Sequence, residues 1–249
     1  MNLKYLPRIV FLLLIIRYTT IALYFIVWGI ICLPIVLVLK PRSATSAPIV
    51  AWLLGKPVIN ILGLKIKSID KHKFYPGYPC VFVGNHQSNI DAFAMAYLVP
   101  KNTVFLAKKS LLYIPIFGAI TWFVGTIFIN REKRKHAVGK MDAAAEDIKK
   151  NKVSVYIMPE GTRSHGKGLG RFKKGAFHTA KKANVPIIPM AFSSYREYID
   201  LNKWNAGTIL VKFMDPISPE GKTVDELMQE TREVISKTIK ELDLKLSES

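Results

Sequence analysis

The sequence predicts an α/β protein: a mixed, largely parallel sheet flanked by helices, preceded by a membrane-embedded segment of two helices. Three observations predict it. From residue 65 onward, short apolar runs alternate with stretches of helical period, the pattern of α/β layering. Several of those runs stop abruptly at polar or charged residues, as strands do where an open sheet carries its site. Residues 9–39 contain a single charge, Arg17.

The front of the chain comes first. Residues 18–39 form a 22-residue uncharged run, long enough as a helix to reach across roughly 30 Å of hydrocarbon. It is too long for a signal peptide and lacks a small-residue cleavage site. Pro34 is expected to interrupt it. Pro41 and Pro48 bracket a turn, and a second apolar segment follows over 49–64 with only Lys56 charged. Two apolar helices joined by a short basic turn suit a hairpin that enters one leaflet, with Tyr18, Tyr24, Trp28 and Trp52 at the interface. A single transmembrane span is the alternative.

The body then reads in order. Residues 65–70 are a short strand, and Pro76-Gly77-Tyr78-Pro79 is a turn. Residues 80–83 are a buried strand, followed by His86 and a helix beginning near Asp91, capped by Ser88 or Asn89. Residues 103–107 are a strand ending at Lys108. A helix-like stretch over 110–122 is broken by Pro115 and Gly118. Residues 126–129 are a strand ending at Asn130-Arg131, and 136–150 a helix. Residues 153–158 are a strand ending in Pro159-Glu160-Gly161-Thr162-Arg163. A glycine-rich basic segment over 166–175 resembles a phosphate nest and is read as a basic loop near the site. A short helix over 177–184, strands over 185–192 and 208–214, and an amphipathic helix over 224–242 complete the chain.

Charge narrows the partners. The formal net charge is +18, and residues 101–182 carry 18 Lys and Arg against five acids. That balance suits a partner bearing phosphate, either nucleic acid or an anionic membrane surface. With an apolar front end, the basic body belongs on the cytoplasmic face of a membrane. Two cysteines, Cys32 and Cys80, have no metal-ligand spacing and fit a reducing compartment. No cluster suggests a metal.

If the sheet is largely parallel, His86 with Asp91, Lys108, Arg131, and Glu160 with Arg163 converge on one edge. A turn between His86 and Asp91 lets the carboxylate fold back on the imidazole, fixing its tautomer and leaving the other nitrogen as a base. A capping turn beside a surface histidine is the bland alternative. There is no Gly-x-Ser-x-Gly, and neither cysteine lies beside a histidine in sequence. A base without a protein nucleophile points to direct attack by a substrate hydroxyl.

Four blocks occur in order: Asn85-His86-Gln87-Ser88-Asn89-Ile90-Asp91, Gly125-Thr126-Ile127-Phe128-Ile129-Asn130-Arg131, Pro159-Glu160-Gly161-Thr162-Arg163-Ser164 and Val185-Pro186-Ile187-Ile188-Pro189. On these the sequence resembles the 1-acylglycerol-3-phosphate acyltransferases. It departs from them at Met158, where a Phe often precedes Pro-Glu-Gly. The resemblance implies acyl transfer from an acyl carrier protein or coenzyme A thioester to the sn-2 hydroxyl of lysophosphatidic acid, giving phosphatidic acid, with no cofactor beyond the cosubstrate and no nucleic acid partner. It implies His86 as general base held by Asp91, and Gly161 and Lys108 at the oxyanion or acyl donor. Arg131 and Arg163 are implied for the acceptor phosphate, with Thr162 touching substrate and Glu160 orienting Arg163 or meeting the glycerol. The implied domains are a membrane anchor over 1–64 and a catalytic domain over 65–249. The rivals are an acyltransferase for glycerol 3-phosphate or another lysolipid, a hydrolase, and a noncatalytic membrane- or nucleic-acid-binding protein.

Overall fold

The computed structural model describes residues 6–38, 46–69, 77–98, 100, 102–123, 125–130 and 134–248. Its elements run α1 (Leu6–Val38), α2 (Ser46–Ile61), β1 (Leu64–Ile69), β2 (Val81–Gly84), α3 (Ile90–Leu98), β3 (Thr103–Lys108), α4 (Phe117–Phe123), β4 (Ile127–Ile129), α5 (Arg134–Asn151), β5 (Ser154–Ile157), α6 (Gly175–Ala183), β6 (Ile187–Phe192), β7 (Gly207–Phe213) and α7 (Val224–Ser247). The strands form one seven-stranded sheet in the order β1-β7-β6-β2-β5-β3-β4. β6, β2, β5, β3 and β4 are mutually parallel. β7 runs antiparallel to β6, and β1 parallel to β7. The expected mixed, largely parallel sheet is therefore present.

Side chains that alternate along a strand go to opposite faces, and here each face has its own core. Val81 and Val83 of β2 and Val155 and Ile157 of β5 point toward α5, α6 and α7, where they meet Ala144, Ile148, Phe177 and Leu227. Phe82 and Tyr156, one step out of phase, point the other way, to Val58 and Ile59 of α2 and Ala94 and Met95 of α3. α7 is held at its start by a capping box between Thr223 and Glu226.

α1 is a single 33-residue helix, about 50 Å long at 1.5 Å per residue. It continues past position 34 instead of stopping there. Residues Leu12–Ile31 are long and apolar enough to cross a membrane by length and composition. Part of this stretch nevertheless lies against the rest of the protein. Arg17 is 3% exposed and donates to the carbonyls of Leu201 (2.5 Å), Lys203 (2.8 Å) and Trp204 (3.0 Å). The Tyr24 hydroxyl donates to Leu53 of α2 at 2.5 Å, and Phe25 meets Phe117 edge-on. Gly29 allows a close approach: a Cβ there would lie 2.4 Å from Ile116.

The 110–122 stretch divides differently from its sequence pattern. Residues Lys109–Tyr113 are a 3₁₀ turn, and α4 starts only after Pro115 and Ile116. Gly118 does not break α4 but lies buried inside it, where a Cβ would meet the Leu112 carbonyl at 2.0 Å.

Candidate active site

Parallel neighbours in the order β6-β2-β5-β3-β4 bring their carboxyl ends to one edge. Register keeps those ends level: Val83 pairs with Ile157, and Lys108 with Ile129. The chain leaves β2 at Gly84 and is braced at once. Asn85 accepts from the Phe192 amide at 2.8 Å and donates to the Phe192 carbonyl at 3.0 Å, tying this strand end to that of β6.

His86 follows on the turn, with its side chain 16% exposed, while Asp91 in the first turn of α3 is 0% exposed. His86 Nδ1 donates to Asp91 Oδ2 at 2.8 Å. The same oxygen accepts from the amides of Gln87 at 2.5 Å and Ser88 at 2.8 Å, and the buried Tyr195 hydroxyl donates to Oδ1. Four donors thus compensate a carboxylate withdrawn from water. With Nδ1 engaged as donor, Nε2 is left as an acceptor on a partly exposed ring, the arrangement of a general base. The turn itself is capped by Ser88, whose Oγ accepts from the Ile90 amide at 3.0 Å and meets the Tyr195 hydroxyl at 2.8 Å.

Glu160 lies beyond β5 and is 5% exposed. Oε1 accepts from the His86 amide at 2.7 Å and Oε2 from the Gly170 amide at 2.8 Å. Burial raises its pKa above the usual carboxylate range, and the two amides partly offset this. The expectation that Glu160 orients Arg163 is corrected here: its two oxygens accept from backbone amides. Arg163 instead donates to Asn89 Oδ1 at 2.8 Å, which sets it beside the start of α3.

Gly161 has φ +69°, a left-handed conformation that favours glycine. Its amide donates to the Met158 carbonyl at 3.2 Å, closing the turn. A Cβ at this position would lie 2.9 Å from Lys173 Nζ. The glycine therefore makes room for a lysine, and its amide closes the turn. Thr162 is exposed, and Lys108 is the exposed last residue of β3. Arg131 lies outside the described residues; Asn130, just before it, leaves β4 at the same edge.

Sequence reasoning missed Tyr195, which is 0% exposed and 104 residues from its partner Asp91. No local pattern marks a tyrosine after a strand as a partner of a distant acid. Gln87 was in view without a role. Its Nε2 donates to the Ser193 carbonyl at 2.7 Å, a second tie between the His86 turn and the end of β6. Cys80 is fully buried and its thiol is pushed up to about 12 by burial, which makes it a poor nucleophile. Among the described residues, no group of three His, Cys, Asp or Glu side chains stands together as a metal site would need.

A parallel sheet edge bearing an acid-paired histidine and neighbouring cations has the layout of an α/β enzyme site. Comparison with known proteins narrows the class. Residues 65–193 match the family model described as Acyltransferase, and the chain belongs to that family. It is 38% identical over 205 residues to the 1-acyl-sn-glycerol-3-phosphate acyltransferase of Haemophilus influenzae, covering 81% of this chain and 85% of that one. It is 35% identical over 212 residues to the protein of the same name from Escherichia coli K12, covering 84% and 86%. The crystal structure of the 1-acyl-sn-glycerophosphate acyltransferase from Thermotoga maritima shares the fold, with a TM-score of 0.77 at 24% identity over 93% of this chain and 95% of that one.

Proposed function

We propose that the protein transfers an acyl chain from an acyl carrier protein or coenzyme A thioester to the sn-2 hydroxyl of lysophosphatidic acid, giving phosphatidic acid. The names of its relatives support the substrate. The observation that carries the chemistry is the 2.8 Å contact between His86 Nδ1 and Asp91. Nε2 takes the acceptor's hydroxyl proton as that oxygen attacks the thioester carbonyl. The tetrahedral intermediate collapses with loss of the C–S bond, and the imidazolium returns the proton to the leaving thiolate. Asp91 and its donors keep the ring oriented throughout.

Lys108, level with the end of β4, is the candidate to meet the developing oxyanion. The Gly161 amide would have to leave its turn to do so. Arg163 beside α3, with Arg131, supplies guanidinium groups for the acceptor phosphate, which arginine binds in bidentate fashion. Thr162 is free at the surface of the same turn to touch substrate. No cofactor is required beyond the cosubstrate. Residues 1–64 are the membrane anchor and 65–249 the catalytic domain, on the cytoplasmic face of the membrane (the inner membrane in a bacterium). Leu12, Ile15, Ile30 and Ile31 of α1 and Trp52 of α2 are exposed, an apolar surface suited to lipid.

The test is His86→Ala in the full chain reconstituted with lysophosphatidic acid and an acyl thioester. Loss of a general base costs on the order of 10²–10⁴-fold in rate. Phosphatidic acid formation should fall by that factor with lipid binding unchanged. Turnover at the wild-type rate would overturn the assignment.

A further inference from the structure

Two sets of cations flank the segment that follows β5, on opposite faces of the sheet. Arg163 turns toward Asn89 and α3, the face that also carries α1 and α2. The other set belongs to the glycine-rich basic loop, to which the site above gives no role. Arg171, Lys173 and Lys174 line an open cavity of about 530 Å³ together with Ser164, Phe172 and Met228. Phe172 belongs to the core beneath α5, α6 and α7 and stacks on Phe177, and Met228 is on α7. The floor of this cavity therefore lies on the side of the sheet away from α1 and α2.

Its walls are fixed to the catalytic turn. The Lys173 amide donates to the Pro159 carbonyl at 2.9 Å, and the Lys173 side chain passes over Gly161. Glu160, which lines the same cavity, receives the His86 amide on Oε1. One side chain thus separates the cavity from the backbone of the base. Lys174 pairs with Asp225 at 2.7 Å, and the described ion pairs leave Arg171 and Lys173 without a carboxylate partner. Ser164 Oγ is buried with no hydrogen-bond partner. The chemistry is a cationic rim, an apolar floor of Phe172 and Met228, and an unmet hydroxyl. That suits a ligand with a phosphate at one end and a flexible, amide-bearing arm.

We propose that this cavity holds the phosphopantetheine arm of the acyl donor, with its phosphate on Arg171 and Lys173. The proposal rests on the acyl-transfer reading and adds the donor's route. A lipid acceptor reaches His86 from the face that bears the exposed apolar helices. A water-soluble donor reaches it from the face of α6 and α7. The two substrates then meet across the Pro159–Ser164 segment without passing one another. Carrier protein and coenzyme A share this arm, so the site serves either source.

The experiment uses the full chain in lipid–detergent micelles, with acyl carrier protein and acyl coenzyme A thioesters as donors in separate arms. Arg171→Gln combined with Lys173→Gln is compared with wild type, and Arg171→Glu alone guards against damage to the turn that Lys173 packs on. Loss of charge-assisted phosphate contacts should raise the donor's KM roughly tenfold or more. The KM for lysophosphatidic acid should not rise. The arm that turns over identifies whether the phosphate arrives on a protein or on a nucleotide. Unchanged donor KM, or a rise in acceptor KM instead, overturns the site while leaving the acyl-transfer reading standing. A wild-type protein that turns over neither donor overturns that reading itself.

Discussion

The two faces of the sheet are built for different surroundings. On one, α1 presents Leu12, Ile15, Leu23, Ile30 and Ile31 outward, and Trp52 of α2 and Trp122 of α4 are also exposed. On the other, α5, α6 and α7 bury most of their apolar residues, with Val138 and Leu244 as exposed exceptions, and turn charges outward. They are laced by Lys182–Asp142, Lys174–Asp225 and Lys222–Glu230 ion pairs, exposed contacts of the kind that contribute little stability. The strands between them supply both faces through simple alternation, as Val81, Phe82 and Val83 do. The His86 turn sits where the faces meet, and the Glu160 carboxylate joins them beside two backbone bonds, from the Ser164 amide to the His86 carbonyl and from the His165 amide to the Gln87 carbonyl. The two Glu160 oxygens accept from His86 on the turn that leads into α3 and from Gly170 on the loop that leads into α6. The proposed reaction, between a membrane lipid and a soluble thioester, would use such a boundary.

Breaking that join should have the largest effect on the comparison. Glu160→Ala leaves two amides without their acceptor, at about 1–3 kcal/mol each. We expect a lower unfolding midpoint in micelles and a higher KM for both substrates, because both sides of the turn lose their anchor. Glu160→Gln keeps one acceptor oxygen and should cost less. Unaltered stability in the alanine variant would mean that the two faces do not depend on this residue. A smaller effect, confined to one face, is expected from Arg17→Leu. Three carbonyls near the exposed Trp204 lose their charged donor, at roughly 1.5–3 kcal/mol. Proteolysis within residues 199–206 should become faster, while the donor's KM stays unchanged. Equal proteolysis rates would show that α1 is held by its apolar contacts alone.

Much of this was legible in the sequence, and the reason differs by residue. The apolar runs that end in His86, Lys108 and Glu160 announced the strands, because a buried parallel strand must be apolar on both sides. His86 and Asp91 were legible as a pair because they stand only five positions apart, with a turn between them. Arg17 was visible as the lone charge of an apolar stretch, yet its three carbonyl partners lie some 185 residues away and left no local trace. Tyr195 was hidden for the same reason. Glu160 was recognised as a site residue but assigned the wrong partners. A carboxylate beside an arginine in sequence suggests a salt bridge, whereas burial favoured two fixed backbone amides. Gly161 was read from its motif as a donor, and only the turn's geometry shows its amide closing on Met158. Pro34 looked like a helix end, and α1 runs through it.

Initial rates measured against both substrates, with mass analysis of the quenched protein, test the chemistry most directly. On the proposed mechanism His86 activates the acceptor hydroxyl directly, and Cys80 is buried, so both substrates must be bound before the acyl group moves. Double-reciprocal plots should intersect, and the protein should carry no added acyl mass. Parallel lines with a stoichiometric acyl-enzyme are the mark of covalent catalysis, and finding them would contradict direct transfer at this site.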